Sequence, residues 1–141
     1  SYALAKQLGE TMAESFCRWN PNLAILSLRF SNVFSPEDYA ELPAIQANPR
    51  WRKTNLWSYV DAEDAGKACR LAVEADLKGH HRMIIAAEDT VMAIPTSKLA
   101  EEFLGGVALL TDLEGHQSLL SSTRAAHMIG YRPSFGWRQR V

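Results

Sequence analysis

Cysteine, glycine-rich loops, long apolar runs and a surplus of either charge are all scarce in this sequence, and each shortage removes a class of protein. Only two cysteines occur, Cys17 and Cys69, in no CxxC or metal-ligand spacing. That leaves two free thiols in a reducing, cytoplasmic compartment as the expected state. The adjacent His80 and His81 have no Cys or carboxylate in register, so no metal site is expected. Fifteen Lys and Arg stand against 16 Asp and Glu for a net charge of −1. They are scattered along the chain, which argues against a nucleic-acid partner. No apolar run approaches the roughly 20 residues that span a bilayer. Even Leu23 to Leu28 is broken by Ser27 and followed by Arg29, so no membrane partner is expected. Gly105-Gly106 follows a helical stretch and does not join a strand to a helix, so no dinucleotide fingerprint is present. If the chain handles a dinucleotide, most of the binding site lies elsewhere. The sequence opens inside a helical pattern, which gives no information about an N-terminal targeting signal.

What is present is an ordinary globular composition, 47% apolar and 22% charged over 141 residues, enough for one modest domain. Residues Ala3 to Trp19 read as a helix with two neighbouring stripes. Leu4, Leu8, Met12, Phe16 and Trp19 form one, and the small residues Ala5, Gly9, Ala13 and Cys17 form the other. An arc that wide suits a helix packed on a sheet with one side and on another helix with the other. A homodimer through this helix fits the pattern, as does a covered monomer helix. At the helix start, Tyr2 and Lys6 are four residues apart and so share a face. A cation held near a phenol favours the phenolate and can turn a weak acid into a usable one near neutral pH. A Lys6–Glu10 surface ion pair beside a half-buried Tyr2 accounts for the same letters.

Asn20-Pro21-Asn22 stops the helix, and Leu23 to Phe30 reads as a buried parallel strand. In open α/β sheets ligands sit beyond the carboxyl ends of strands, which places Ser31 to Pro36 where a contact would fall. Asn32 is either such a contact or a turn residue bonded to local backbone. Ser35-Pro36-Glu37-Asp38 reads as a helix start. Pro43 and Pro49 break the next stretch into a short helix and an irregular segment, with Arg50, Arg52 and Lys53 around Trp51 as a basic cluster or a solvated loop. Leu56 to Val60 reads as a strand, then a helix capped by Asp61 runs to Ala75. Lys78 to His81 reads as a turn and Arg82 to Ala87 as a strand. Thr96 starts a helix to Phe103, Val107 to Leu110 reads as a short strand, and Ser121 to Ile129 as a small helix closed by Gly130. The aromatic and basic tail Tyr131 to Val141 is expected to lie over the surface.

Four of these signals occur in a telling order: Tyr2-x-x-x-Lys6, then LRFSNVFSP from Leu28 to Pro36, then SYVDAEDA from Ser58 to Ala65, then Gly130-Tyr131-Arg132-Pro133. Together they resemble the C-terminal half of the extended short-chain dehydrogenase/reductases, the NAD-dependent epimerase/dehydratase family, from the first residue nearly to the last. The resemblance implies an α/β fold: the C-terminal part of a Rossmann-like doubly wound parallel sheet plus a small α/β substrate-binding subdomain. Residues 1–141 would form a single fragment, the dinucleotide-binding half lying outside it. It further implies NAD or NADP as cofactor, with Tyr2 as catalytic acid/base and Lys6 holding the nicotinamide ribose. Phe30 and Ser31 would lie against the nicotinamide end, Asn32 would contact substrate, and Asp64 would be structural. The substrate class would be a small sugar or sugar nucleotide, turned over by an epimerase, dehydratase or oxidoreductase. Ser35 stands where the family usually has Gly. Trp57 stands where nucleotide-sugar enzymes tend to carry an Arg, which raises a sugar acid or other non-nucleotide compound as the rival substrate. A non-catalytic binding or regulatory protein on the same fold is the rival of another class. The fragment alone is expected to be inactive.

Overall fold

The computed structural model describes residues 1–109 and 111–140. Helix α1 spans Tyr2–Trp19 and ends where the Asn20 N–H closes on the Phe16 carbonyl. Strand β1, Ala24–Phe30, pairs in parallel with β4, Gly79–Ile85, from Ala24 opposite Gly79 to Phe30 opposite Ile85. This register puts Leu26, Leu28, Met83 and Ile85 on one side of the ribbon. They join a core with Val60, Ala68, Ala125, Ile129 and Tyr131, supplied in part by α3, Ala62–Glu74, and α5, Thr123–Ile129.

The other side differs from expectation. Ser27, Arg29, His80 and Arg82 alternate with those apolar residues, so the face toward α1 is polar apart from Ile25 and Ile84, and β1 is not sealed on both sides. Helix α1 rests there through Ala13, its one buried residue. The small-residue side therefore meets the sheet. Leu4, Leu8, Met12, Phe16 and Trp19 remain between 42% and 75% exposed, so no second helix among the described residues covers them.

A second parallel ribbon pairs β2, Asn32–Phe34, with β3, Tyr59–Asp61. Between them run a 3-10 turn at Pro36–Glu41, helix α2 at Leu42–Ala47 and a further 3-10 turn at Pro49–Asn55. Phe34, Tyr39, Leu42, Ile45, Trp57 and Tyr59 from this part build the second core with Val91 and Met92, completed by Leu99 and Phe103 of α4, Thr96–Phe103. Asp38 closes the first 3-10 turn by accepting from the Ser35 N–H at 2.7 Å and its hydroxyl at 2.8 Å, as the Ser-Pro-Glu-Asp pattern predicts. Asp61 caps α3 through the Glu63 N–H at 2.8 Å.

Several boundaries move. The strand expected from Leu56 starts only at Tyr59, because Leu56 and Trp57 both take the left-handed conformation, at φ 57° and 55°. The cost of two such residues is offset by burying the Trp57 indole, whose Nε1 donates to the Pro49 carbonyl at 2.7 Å. His80 and His81 belong to β4 and not to a turn, since Gly79 alone, at φ 85°, makes the bend. Val107 to Leu109 form no strand, and Leu110 lies outside the described residues.

The tail is fastened and does not merely cover the surface. Tyr131 is fully buried. The buried Asp64 carboxylate accepts the Ser134 and Phe135 N–H groups at 2.8 and 2.9 Å. Trp137 donates its N–H to the Tyr59 hydroxyl at 2.7 Å and its indole N–H to the Thr90 carbonyl at 2.9 Å. Val141 lies outside the described residues. The architecture is mixed α/β with two small parallel ribbons. The doubly wound sheet that the resemblance implies is not formed among the described residues, because each ribbon has two strands. No helix among them is long and apolar enough to cross a membrane.

Candidate functional site

Three of the five residues singled out from the sequence meet in one place. Helix α1 lies across β1, and between them runs a groove of about 860 Å³ lined by Tyr2, Lys6, Glu10, Ser27, Arg29 and Phe30. Four-residue helical spacing brings the Lys6 Nζ to 5.3 Å from the centre of the Tyr2 ring. Tyr2 is 78% exposed at the open mouth of the groove, and Phe30 is 40% exposed where β1 ends.

Glu10 does not pair with Lys6. Its carboxylate takes the Arg29 guanidinium in a two-pronged contact at 2.8 and 2.6 Å, and lies 3.0 Å from Arg82 Nε. Arg82 also pairs with Glu14. The hydrogen bond from Arg29 holds the Glu10 carboxyl below its ordinary range, against the opposing pull of burial. Beneath the helix, Ser27 Oγ meets His80 Nε2 at 2.8 Å. Burial, reinforced by the Arg82 charge, lowers the His80 imidazole. Sequence reasoning passed over this polar layer. The alternation of Ser27 and Arg29 within LAILSLRF was the signal available, overshadowed by the apolar composition of the run.

Ser31 and Asn32 do not line the groove. The Ser31 N–H donates to the Ile85 carbonyl at 3.0 Å, carrying the chain on to the second ribbon. Asn32 opens β2, and its Oδ1 accepts from Asn55 Nδ2 at 2.8 Å. The basic cluster is only half a solvated loop. Trp51 is exposed, while Arg50 lies over the Phe103 ring at 5.5 Å and Arg52 over the Phe34 ring at 5.2 Å.

A smaller cleft of about 540 Å³ opens past β4, with Glu88, Asp89, His116 and Ser122 in its wall. Asp89 and Ser122 are already engaged. Asp89 accepts from the Tyr59 hydroxyl at 2.7 Å and pairs with Arg138 at 2.5 Å, and Ser122 Oγ accepts from the Ala86 N–H at 3.1 Å. Burial raises the Asp89 carboxyl and, more strongly, the Tyr59 phenol above their ordinary ranges. Among the described residues no group of three metal-ligating side chains comes together.

The groove suits a ribose-linked aromatic ring: an ammonium for ribose hydroxyls, a phenol at the mouth and the Phe30 ring as an apolar wall. Nothing in the sequence supplies a glycine-rich phosphate cradle, so these residues fit the nicotinamide end of a dinucleotide and not its diphosphate.

No family model and no curated protein matches this sequence. Among solved structures, that of RMD from Pseudomonas aeruginosa complexed with NADPH is similar, with a TM-score of 0.56 and 14% identity. The match covers 99% of this chain and 52% of that one, so the chain spans about half the length of its structural neighbour. At that identity the likeness is one of fold.

Proposed function

We propose that this chain is the substrate-side half of an NAD(P)-dependent oxidoreductase of the epimerase, dehydratase or reductase type, acting on a small sugar-type compound. The observation that carries the reading is the convergence of Tyr2, Lys6 and Phe30 on one groove at the carboxyl end of β1. The fold shared with a protein solved in complex with NADPH supports it. Bound NAD or NADP supplies the hydride acceptor or donor. Tyr2 Oη takes the proton of a substrate hydroxyl as the carbon is oxidised and returns it on reduction, so that only a hydride moves to or from the nicotinamide. Lys6 hydrogen-bonds the ribose, and the polar layer of Glu10, Arg29 and Arg82 fixes the helix that carries both residues.

Trp57 bears on the substrate. It is fully buried with its indole nitrogen committed to Pro49, so it offers nothing to a nucleotide diphosphate. That favours a dehydrogenase or reductase of a non-nucleotide sugar or sugar acid over a sugar-nucleotide enzyme. The test is Tyr2→Phe in the full-length protein, followed by the absorbance of reduced nicotinamide. The expected result is a loss in kcat of about 100-fold or more, with cofactor binding little changed. Retention of full activity removes Tyr2 from the chemistry and the reading with it.

A further inference from the structure

Helix α1 carries the Tyr2–Lys6 pair, yet little apolar surface holds it down. Ala13 is its one buried residue, and the ribbon beneath it presents Ser27 and Arg29 from β1 and His80 and Arg82 from β4. Charge does the holding. Glu10 is gripped by Arg29 at 2.6 Å and lies 3.0 Å from Arg82, and Glu14 pairs with Arg82 as well. Two carboxylates from the helix thus face two guanidinium groups from the strands, and the four charges cancel. Ion pairs open to solvent contribute little, and the side chains of Arg29, Arg82 and Glu14 are between 41% and 57% exposed. The seat of α1 on the ribbon is therefore electrostatic and shallow.

Within this layer stands one group of the type that changes charge near neutral pH. His80 Nε2 lies 2.8 Å from Ser27 Oγ, and Ser27 lines the groove together with Tyr2, Lys6 and Glu10. We infer that His80 is a positioning residue for the Tyr2–Lys6 pair: while neutral it lets α1 lie on the ribbon, and when protonated it loosens the helix and with it the groove. The groups that face it are Glu10 and Glu14 from α1, Arg29 from β1, and Arg82 and the neighbouring His81 from β4. Both carboxylates are already engaged by guanidinium groups, so a further positive charge finds no counterpart. Burial beneath the helix, followed by the Arg82 charge, holds the imidazole below its ordinary value of 6.5 against the pull of Glu14 and Glu10. An imidazole freed by a lifted helix regains that ordinary value in water. The seat is thus at full strength above 6.5 and weakens as pH falls below it. Glu10 titrates only below 4.5, so the two windows do not overlap. The inference rests on the proposed oxidoreductase reading for what Tyr2 and Lys6 do, and not for the motion of α1.

Hydrogen exchange read by mass spectrometry on the full-length protein, between about pH 7.5 and about pH 5.5, follows the seat of α1. Comparing the parent with His80→Gln at each pH cancels the intrinsic pH dependence of exchange, and Gln keeps a hydrogen-bonding group for Ser27. At the acid end, peptides from residues 2–19 of the parent are expected to exchange roughly threefold or more faster than those of the variant. The gap closes at neutral pH, and peptides from α3 show none. His80→Asn, a second neutral replacement, gives the same result and covers the case in which Gln fails to fold. His81→Gln, on the other face of β4, behaves as the parent. Turnover of the parent falls over the same interval, and both neutral variants lack that fall. A gap that is absent or constant with pH, one shared equally by α3, or one abolished by His81→Gln overturns the inference. Tyr2→Phe leaves the ion pairs and His80 in place, so it keeps the acid loosening while losing turnover. Full turnover in that variant with the loosening intact removes the oxidoreductase reading alone.

Discussion

Glu10 illustrates how much a single residue decides here. Had it turned to Lys6, the ammonium would be a surface ion-pair partner and Tyr2 a bystander. Instead Arg29 and Arg82 hold it, and among the described residues Lys6 forms no ion pair. The Glu10 carboxyl is held below its ordinary value of 4.5, so the folded state favours its charged form. A group depressed in this way stabilises the fold above its unfolded pKa and loses that contribution as pH falls through the folded one. Arg29 is 57% exposed, so solvent screening keeps the contribution to about 1 kcal/mol or less. Glu10→Gln is therefore expected to unfold slightly more easily at neutral pH and to converge with the parent below about pH 4.5. Urea titrations at several pH values read this directly; a constant gap between the two proteins down to pH 3, taken as roughly the lower end of carboxylate titration, would show that the Arg29 pair is not its source.

At the scale of elements, the tail and the strands teach different lessons. The segment after Tyr131 is held by hydrogen bonds to Asp64, a carboxylate 1% exposed. Replacing it by Ala leaves two backbone N–H groups without their charged acceptor. The expected loss is about 3 kcal/mol, from hydrogen bonds to a charged group plus the cost of leaving donors unmet. Denaturant unfolding measures it, and a loss under about 0.5 kcal/mol would mean that the tail finds other acceptors. What was legible beforehand follows from locality. Helices α1 and α3 and the Asp61 cap are written in contiguous letters with a period of 3.6 residues or a local cap, and they formed as expected. Strand β1 was found, but its polar side was not, because two polar residues in eight do not outweigh an apolar run. The left-handed pair at Leu56 and Trp57 and the tail's partners are set by tertiary burial, which no local pattern encodes. In the candidate site, the Tyr2–Lys6 pair could be read from helical spacing. The Glu10–Arg29 contact could not, since its partners stand 19 positions apart on different elements.

For the whole molecule, the groove bordered by α1 and β1 is furnished at one end only. The residues proposed for a nicotinamide ring and its ribose line the groove, while a glycine-rich seat for the diphosphate is absent from the sequence. A dinucleotide's diphosphate is held at such a seat. The 141-residue chain by itself is therefore expected to give no measurable heat with NADH or NADPH, and saturable micromolar binding in calorimetry would show that the groove suffices. The fastened tail has a further meaning at this scale. Tyr131 sits within the core beneath the β1 and β4 ribbon, and Trp137 packs against the core built on Phe34 and Trp57. One short stretch of chain thus enters both hydrophobic centres like a peg through two boards. Neither centre can loosen alone without pulling that stretch out of the other, which ties the core around Phe34 and Trp57 mechanically to the ribbon under α1.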